Sequence, residues 1–367
     1  MINETRLVES FLDMVKIPSP SFKERQVADY LKKVLEDLGL EVTEDNAGEK
    51  IGGNAGNIIG VLKAPGKKKL LFSSHMDTVL PCDKINPIVE NGIIKTDGTS
   101  VLGGDDKAGI AAIIEMLRLV KENNLDHPEI IVVFSVAEEV GLLGAQHFDV
   151  DKYQPDFGFI IDTGGEPGNL TVQAPAAVKG KLTITGKPAH AGIAPELGIN
   201  ALTVAAHAIT KLRLGRIDEE TTCNIGVVSG GSAVNIVMPE VKMMYEARSL
   251  RDEKLDALVE ETMDIFTKTC EEFGAQFKSE VKKGYSSFNM DTNSEVVNMF
   301  GTACKKAGIQ FTTLASGGGS DTNIYNVKNI PSVNMAIGMS KVHTTEEFIA
   351  IKDIVDCSKI LVELVRG

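Results

Sequence analysis

Residues 129–136, EIIVVFSV, are the most hydrophobic run in the chain, and β-branched side chains dominate it. A run of that kind suits a strand covered on both faces, as strands are inside a largely parallel sheet. Parallel neighbours require helical crossovers, and the flanking sequence supplies them. Apolar residues recur at helical spacing over 4–15, over 24–38 (where Ser21 is a candidate cap) and over 107–120, and a short helical piece begins at 146–149. Short buried-strand patterns lie at 57–62, 69–74 and 157–162. Strands alternating with helices predict an α/β layered domain, whose reactive side chains gather where strands end.

The pattern changes near residue 176. Strand 179–185, helix 200–214, strands 224–228 and 241–248, helix 252–273 and strand 276–283 follow in the order βαββαβ, the ferredoxin-like arrangement. Beyond it come a helix at 293–307, a strand at 334–337 and a long final helix at 345–365. The reading is therefore one domain made of 1–175 and 286–367, interrupted by an inserted α+β domain at 176–285. Hinges are expected near Ala174-Pro175 and Tyr285. A chain of 367 residues is also longer than one core usually accounts for.

Composition narrows the function. With 38 Lys and Arg against 51 Asp and Glu, the net charge of -13 argues against a nucleic-acid partner, because phosphate contacts need clustered cations. No apolar stretch approaches the ~20 residues of a membrane helix, and the charged, amphipathic start is unlike a secretory signal. The five cysteines, Cys82, Cys223, Cys270, Cys304 and Cys357, are scattered, as expected of reduced thiols in a cytoplasmic protein.

The candidate chemistry lies in short acidic and histidine-bearing segments, each with a bland alternative. His75 and Asp77 stand in SSHMDTV after a strand; Asp77 can orient the imidazole, or merely cap a turn. Asp105 and Asp106 stand in GGDDKAG before a helix, where acids also suit the positive end of the dipole. Glu138 and Glu139 end the most apolar strand, costly for two adjacent carboxylates unless a cation neutralises them or the strand end is exposed. Asp162 closes FGFIID, and His343 sits in SKVHTTEE with Thr344 or Thr345 as the expected cap of the last helix. All but His343 fall at or just beyond strand carboxyl ends, which a parallel sheet aligns along one edge. Two imidazoles, a bridging aspartate, a glutamate and another aspartate form a mixed N/O set for two zinc-like cations ~3.5–4 Å apart, leaving the second glutamate to take a proton from water.

Taken together, SSHMDTV, GGDDKAG, SVAEEVG, the Asp of FGFIIDTG and the late histidine resemble the dinuclear zinc exopeptidases that include peptidase T, carboxypeptidase G and acetylornithine deacetylase, with GGDDKAG and AEEVGLLGA most similar to peptidase T-like proteins. The resemblance spans nearly the whole chain. It implies a zinc-exopeptidase (phosphorylase/hydrolase-like) catalytic domain carrying an inserted ferredoxin-like lid and dimerisation domain, and a cis peptide bond between Asp105 and Asp106. It further implies that Asp105 bridges two Zn2+ ions, with His75 and Asp162 completing one site and Glu139 and His343 the other. Glu138 would be the general base and Asp77 the orienter of His75. From the inserted domain, His190 in TGKPAHAG would steady the oxyanion, while Asn235 in AVNIVM and Arg248 in YEARSL would bind substrate. GGGSDTN, with Ser320 and Asp321, resembles a flexible substrate loop. The same ligand mix accepts Co2+ or Mn2+. The implied activity is removal of the N-terminal residue from tripeptides and other short peptides by a homodimer. Carboxypeptidase, dipeptidase and N-acyl-amino-acid amidohydrolase activities remain open on the same metals, with a non-catalytic metal-binding module the more distant alternative.

Overall fold

The structure, a computed structural model, describes residues 1–366. The chain divides into two compact units, one of residues 1–173, 289–316 and 320 onward, the other of 174–288 with 317–319. The first stretch of the larger unit runs α1 (Glu4–Val15), α2 (Arg25–Asp37), β1 (Glu41–Glu44), α3 (Ala47–Ile51), β2 (Ile58–Leu62), β3 (Lys69–His75), β4 (Pro87–Glu90), β5 (Ile93–Thr96), α4 (Gly104–Glu122), β6 (Glu129–Ser135), α5 (Val150–Tyr153), β7 (Phe157–Thr163) and β8 (Asn169–Ala174). The smaller unit carries β9 (Ala176–Thr185), α6 (Ala201–Ile209), β10 (Gly215–Arg216), β11 (Thr221–Gly230), β12 (Glu240–Ser249), α7 (Asp252–Phe273) and β13 (Gln276–Tyr285). The chain then closes with β14 (Phe288–Asn289), α8 (Glu295–Ala307), β15 (Thr312–Ala315), α9 (Asp321–Val327), β16 (Ser332–Ala336), β17 (Phe348–Ala350) and α10 (Ile351–Arg366).

In the larger unit the main sheet is ordered β1-β2-β6-β3-β7-β16-β8-β14, with β15 also pairing β8. β6, β3, β7 and β16 are mutually parallel, and the register sets His75 opposite Ser135 and Phe72 opposite both Val132 and Phe159. Every residue of β6 is buried, which explains its uninterrupted apolar sequence. Ile131, Val132 and Phe134 are fully covered, and such burial contributes roughly 1.5–3 kcal/mol per large apolar side chain. Helix α4 lies inside the fold and contacts α1 and α10. Its buried Glu115 is offset by Arg6, whose Nε and Nη2 each donate across 2.9 Å. Because β6, β3 and β7 run in one direction, their carboxyl ends lie side by side. His75, Asp162 and, just past β6, Glu138 and Glu139 lie at that edge; contrary to the strand-end expectation, Asp105 stands at the start of α4, and His343 in the loop before β17.

The smaller unit has its own apolar core, built from β9, β11, β12, α6 and α7 around Leu182, Tyr245 and Phe266. Its sheet is antiparallel in the order β10-β11-β12-β9-β13, and along β12 buried residues alternate with more accessible ones. With α6 and α7 this is the ferredoxin-like arrangement read from the sequence. No helix among the described residues is long and apolar enough to cross a membrane.

Three local expectations need correction. Ser21 does not cap α2; Glu24 precedes the helix, Phe22 has a left-handed φ of 72°, and the Ser21 hydroxyl donates instead to Asp77 across 2.7 Å. The final helix does not start at 345. Residues 348–350 form β17, which pairs with β5, and the Thr344 hydroxyl donates to the Lys341 carbonyl in a turn. GGGSDTN is not loop throughout, for Ser320 caps α9 and Asp321 begins it, both buried.

Candidate metal centre

His75 ends β3 with its side chain 2% exposed. Its Nδ1–H donates to the backbone carbonyl of Asp77 across 2.9 Å, which turns Nε2 toward Asp105 Oδ1 at 3.1 Å, with Asp162 Oδ1 3.8 Å away. The strand stops at His75, so Asp77 lies just beyond it. Its carbonyl, nearer than its carboxylate at 3.4 Å, orients the ring. The Asp77 carboxylate has another task. It accepts the N–H of Glu138 on Oδ1 (2.9 Å) and that of Glu139 on Oδ2 (3.2 Å), joining the ends of β3 and β6.

Asp105 opens α4 at non-helical angles, and its peptide bond to Asp106 is cis. Its two oxygens face different imidazoles: Oδ1 meets His75, and Oδ2 lies 3.2 Å from Nε2 of His343. His343 Nε2 is also 3.0 Å from Glu139 Oε2. Two triads result, His75–Asp105–Asp162 and Asp105–Glu139–His343, in each of which the ligand-type atoms lie within 4.8 Å of one another. Asp105 belongs to both.

The electrostatics follow from burying so many acids together. At His75, burial opposes protonation, but the bonds to Asp105 and Asp77 and the charges of Asp162 and Glu138 outweigh it and hold the imidazole well above its ordinary value. Contacts with Asp105 and Glu139 lift His343 from 6.5 to about 10. Asp105 is buried, yet its bonds to His343 and His75 keep it below the usual carboxylate range. Burial pushes Asp162 and Glu138 well above that range, helped by repulsion from Glu138 on the first and from Asp321 and Glu139 on the second. Glu139 Oε1 is buried with no hydrogen-bond partner. Carboxylates crowded in this way call for positive charge, and two nitrogens with three carboxylates suit divalent Zn2+, Co2+ or Mn2+.

A consequence concerns pH. A cation held by Asp105, Glu139 and His343 would displace the proton that the two acids favour on His343. Below about pH 10 the metal-free imidazole is mostly protonated, so apparent affinity rises with pH. Calorimetric titration of metal-free protein between about pH 6 and 8 is expected to show affinity rising roughly tenfold per unit, with proton release into the buffer. A pH-independent affinity would contradict this.

Residues that the sequence reading passed over support the site from behind. Glu24, buried, accepts the N–H groups of Phe22 (2.9 Å) and Ala137 (3.0 Å), and so braces the left-handed Ala137 (φ 51°) just before Glu138. Asn334 accepts the N–H of Asp162 (3.0 Å) and donates to the Asp162 carbonyl (2.8 Å) and to Ser320 Oγ (3.0 Å). Glu347 accepts three backbone N–H groups around Asp105. Asp321 accepts from Ser135 Oγ at 2.5 Å and is pushed up to about 6, chiefly by burial. Asp321 and Ser320 thus lie within the packed edge of the larger unit.

His190, Asn235 and Arg248 belong to the smaller unit. His190 is exposed, its Nδ1 accepts the Gly192 N–H (3.2 Å), and Asn235 is adjacent through the Ala191 N–H, which donates to its carbonyl (2.9 Å). The Arg248 guanidinium is forked onto Glu246 (2.9 and 3.3 Å) and also donates to the Gly317 carbonyl (3.2 Å).

Comparison with known proteins bears on the whole chain. Residues 175–274 match the peptidase dimerisation domain of the M20 group, and 88–181 with 257–360 match the M42 glutamyl aminopeptidase family. An uncharacterised Bacillus subtilis protein, YqjE, is 41% identical over all of this chain and 99% of its own. Two solved structures superpose along the full chain, each over 98% of its own length: aminopeptidase PepT of Bacillus cereus, 40% identical with a TM-score of 0.91, and a Staphylococcus aureus tripeptidase, 39% identical with a TM-score of 0.96. The chain belongs to the peptidase T-like M20 peptidases. In this M20 peptidase the parallel-strand edge of the larger unit is therefore part of a metallohydrolase fold, and the smaller unit corresponds to the family's dimerisation domain.

Proposed function

We propose that the protein is an aminopeptidase that releases the N-terminal residue of tripeptides and other short peptides at a pair of zinc ions. The observation that carries the reading is the sharing of Asp105 by two ligand-like triads, with Glu138 immediately beside Glu139. His75, Asp105 and Asp162 would hold one cation and Asp105, Glu139 and His343 the other. Bound there, divalent ions supply Lewis-acid polarisation of the scissile carbonyl and acidify water.

The chain's own residues do the rest. Glu138 takes the proton of the attacking water and returns it to the departing amine. Asp77, through the N–H groups of both glutamates, keeps the base and its ligand neighbour in fixed relation. Asn334 fixes the backbone at Asp162. The segment 176–285 is read as lid and dimerisation domain of a cytoplasmic homodimer. In it His190 would meet the oxyanion and Asn235 the substrate, and Arg248 would take a peptide carboxylate by exchanging part of its Glu246 contact. Ser320 and Asp321, given their burial, would act on substrate through the packing of α9.

The direction of cleavage is tested on zinc-loaded protein with tripeptides, dipeptides and N-acyl amino acids, the fragments being identified by mass spectrometry. Release of the first residue from tripeptides, faster than any cleavage of the other classes, is expected. Release of the last residue would convert the reading to a carboxypeptidase, and preference for the acylated substrates to an amidohydrolase.

A further inference from the structure

Two adjacent glutamates follow His343 in SKVHTTEE, and the fold treats them differently. Glu346 is on the surface and pairs with Lys341 at 2.7 Å. Glu347 is 2% exposed, and its carboxylate is turned onto the backbone at the start of α4. Oε2 accepts the N–H groups of Leu102 (2.8 Å) and Gly103 (2.9 Å), and Oε1 accepts that of Asp105 (2.9 Å). The glycines of LGGDD answer to this contact. Gly103 has a left-handed φ of 71°, and a Cβ on Gly104 would stand 3.0 Å from Glu347 Oε1. The turn is shaped to receive a carboxylate.

The segment so anchored is the one that carries His343. Backbone bonds between Ser340 and Phe348, 3.1 Å in each direction, close a loop, and His343 occupies it at a left-handed φ of 62° with its side chain 53% exposed. Two of the other ligand-like residues are fixed by the main sheet, His75 by β3 and the Asp77 carbonyl and Asp162 by β7 and Asn334, and Glu139, just past β6, is held by its N–H to Asp77. His343 itself belongs to no strand, lying in the loop between β16 and β17. Four residues away, Glu347 ties its loop to the turn of the shared Asp105.

We infer that Glu347 is a positioning residue, which locks the His343 loop to the Asp105 turn and so sets the divalent-cation affinity of the Asp105–Glu139–His343 triad selectively. This rests on the two-cation reading given above. The carboxylate suits the task because it only accepts, and so can take all three N–H groups at once. An amide of the same size presents NH2 in place of one oxygen and loses one side of the fork.

The test uses the full-length chain stripped of metal and titrated calorimetrically with Zn2+, as wild type and as Glu347→Gln, with amide hydrogen exchange measured on the metal-free forms. Wild type is expected to show two binding events. In E347Q one event should stay within about threefold and the other weaken about 10–100-fold, the usual effect of losing a partner that orients a ligand. Exchange at Leu102, Gly103 and Asp105 should quicken at least about tenfold while the amides of β6 keep their protection, a selectivity that general destabilisation would not produce. Equal weakening of both events, or no weakening, would overturn the inference, as would unchanged exchange at the turn. If E347Q does not fold, Glu347→Asp, which keeps the charge but is one methylene short, is put through the same measurements with the same deciding outcomes. A wild type that binds a single equivalent overturns the two-cation reading and the affinity half of the inference. The exchange comparison then still decides whether Glu347 anchors the turn.

Discussion

Replacing Glu138 by glutamine should leave cation binding and substrate affinity near wild type while kcat on a tripeptide falls about 10²–10⁴-fold, the range associated with a lost general base. The amide has the same shape, and the main-chain N–H of residue 138 can still donate to Asp77, so the base is removed without moving its neighbours. Its carboxyl is buried amid Asp321, Glu139 and Asp77, and losing a charge there relieves repulsion instead of creating it. Metal content, KM and kcat measured on the same preparation separate proton transfer from assembly of the site. A variant that kept two cations and lost less than about tenfold in kcat would remove Glu138 from the reaction.

The second large effect is expected at Asp105. Its two oxygens face two different imidazoles, so Asp105→Ala takes a donor from both triads at once. Elemental analysis after zinc reconstitution should fall from two equivalents per chain to below one, and turnover should drop by at least about 10³-fold, since Lewis-acid stabilisation amounts to several kcal/mol. Asp162→Ala is the informative contrast. Asp162 belongs to one triad only, so one equivalent should persist. Equal metal loss in the two variants would mean that Asp105 is not shared.

Much of the architecture could be read from pattern alone. The run of β6 marks an interior strand, and βαββαβ was legible in large part because β12 and α7 carry clear apolar periods. His75, Glu139 and Asp162 stood out because polar groups at the ends of buried strands are uncommon enough to notice together, whereas Asp105, read as another strand-end acid, opens α4. What escaped has physical reasons. Thr344 and Glu347 stand three apart, the spacing of a helix-capping box, so the segment imitates the start of α10 while forming a turn and β17. Glycines before Ser320 hid the fact that Asp321 opens a buried helix. Glu24 and Glu347 work by accepting backbone N–H groups from residues about 113 and 242–245 positions away, and no local periodicity records a contact of that range. Arg248 illustrates the opposite difficulty. The sequence marked its capacity for a forked carboxylate contact, while the folded chain already supplies Glu246 as the carboxylate.

The way the smaller unit joins the larger one carries a consequence for how such chains diversify. Its main segment, 174–288, departs at the end of β8 and returns at β14, neighbours in one sheet, where the Met290 N–H donates to the Val172 carbonyl across 2.7 Å. Both attachment points are thus held about one strand spacing apart by bonds that lie outside the insertion. A segment grafted there need only begin and end side by side. Such a junction is a natural splice point, at which recombination can exchange or shorten one module while the strand edge of the larger unit keeps its own architecture.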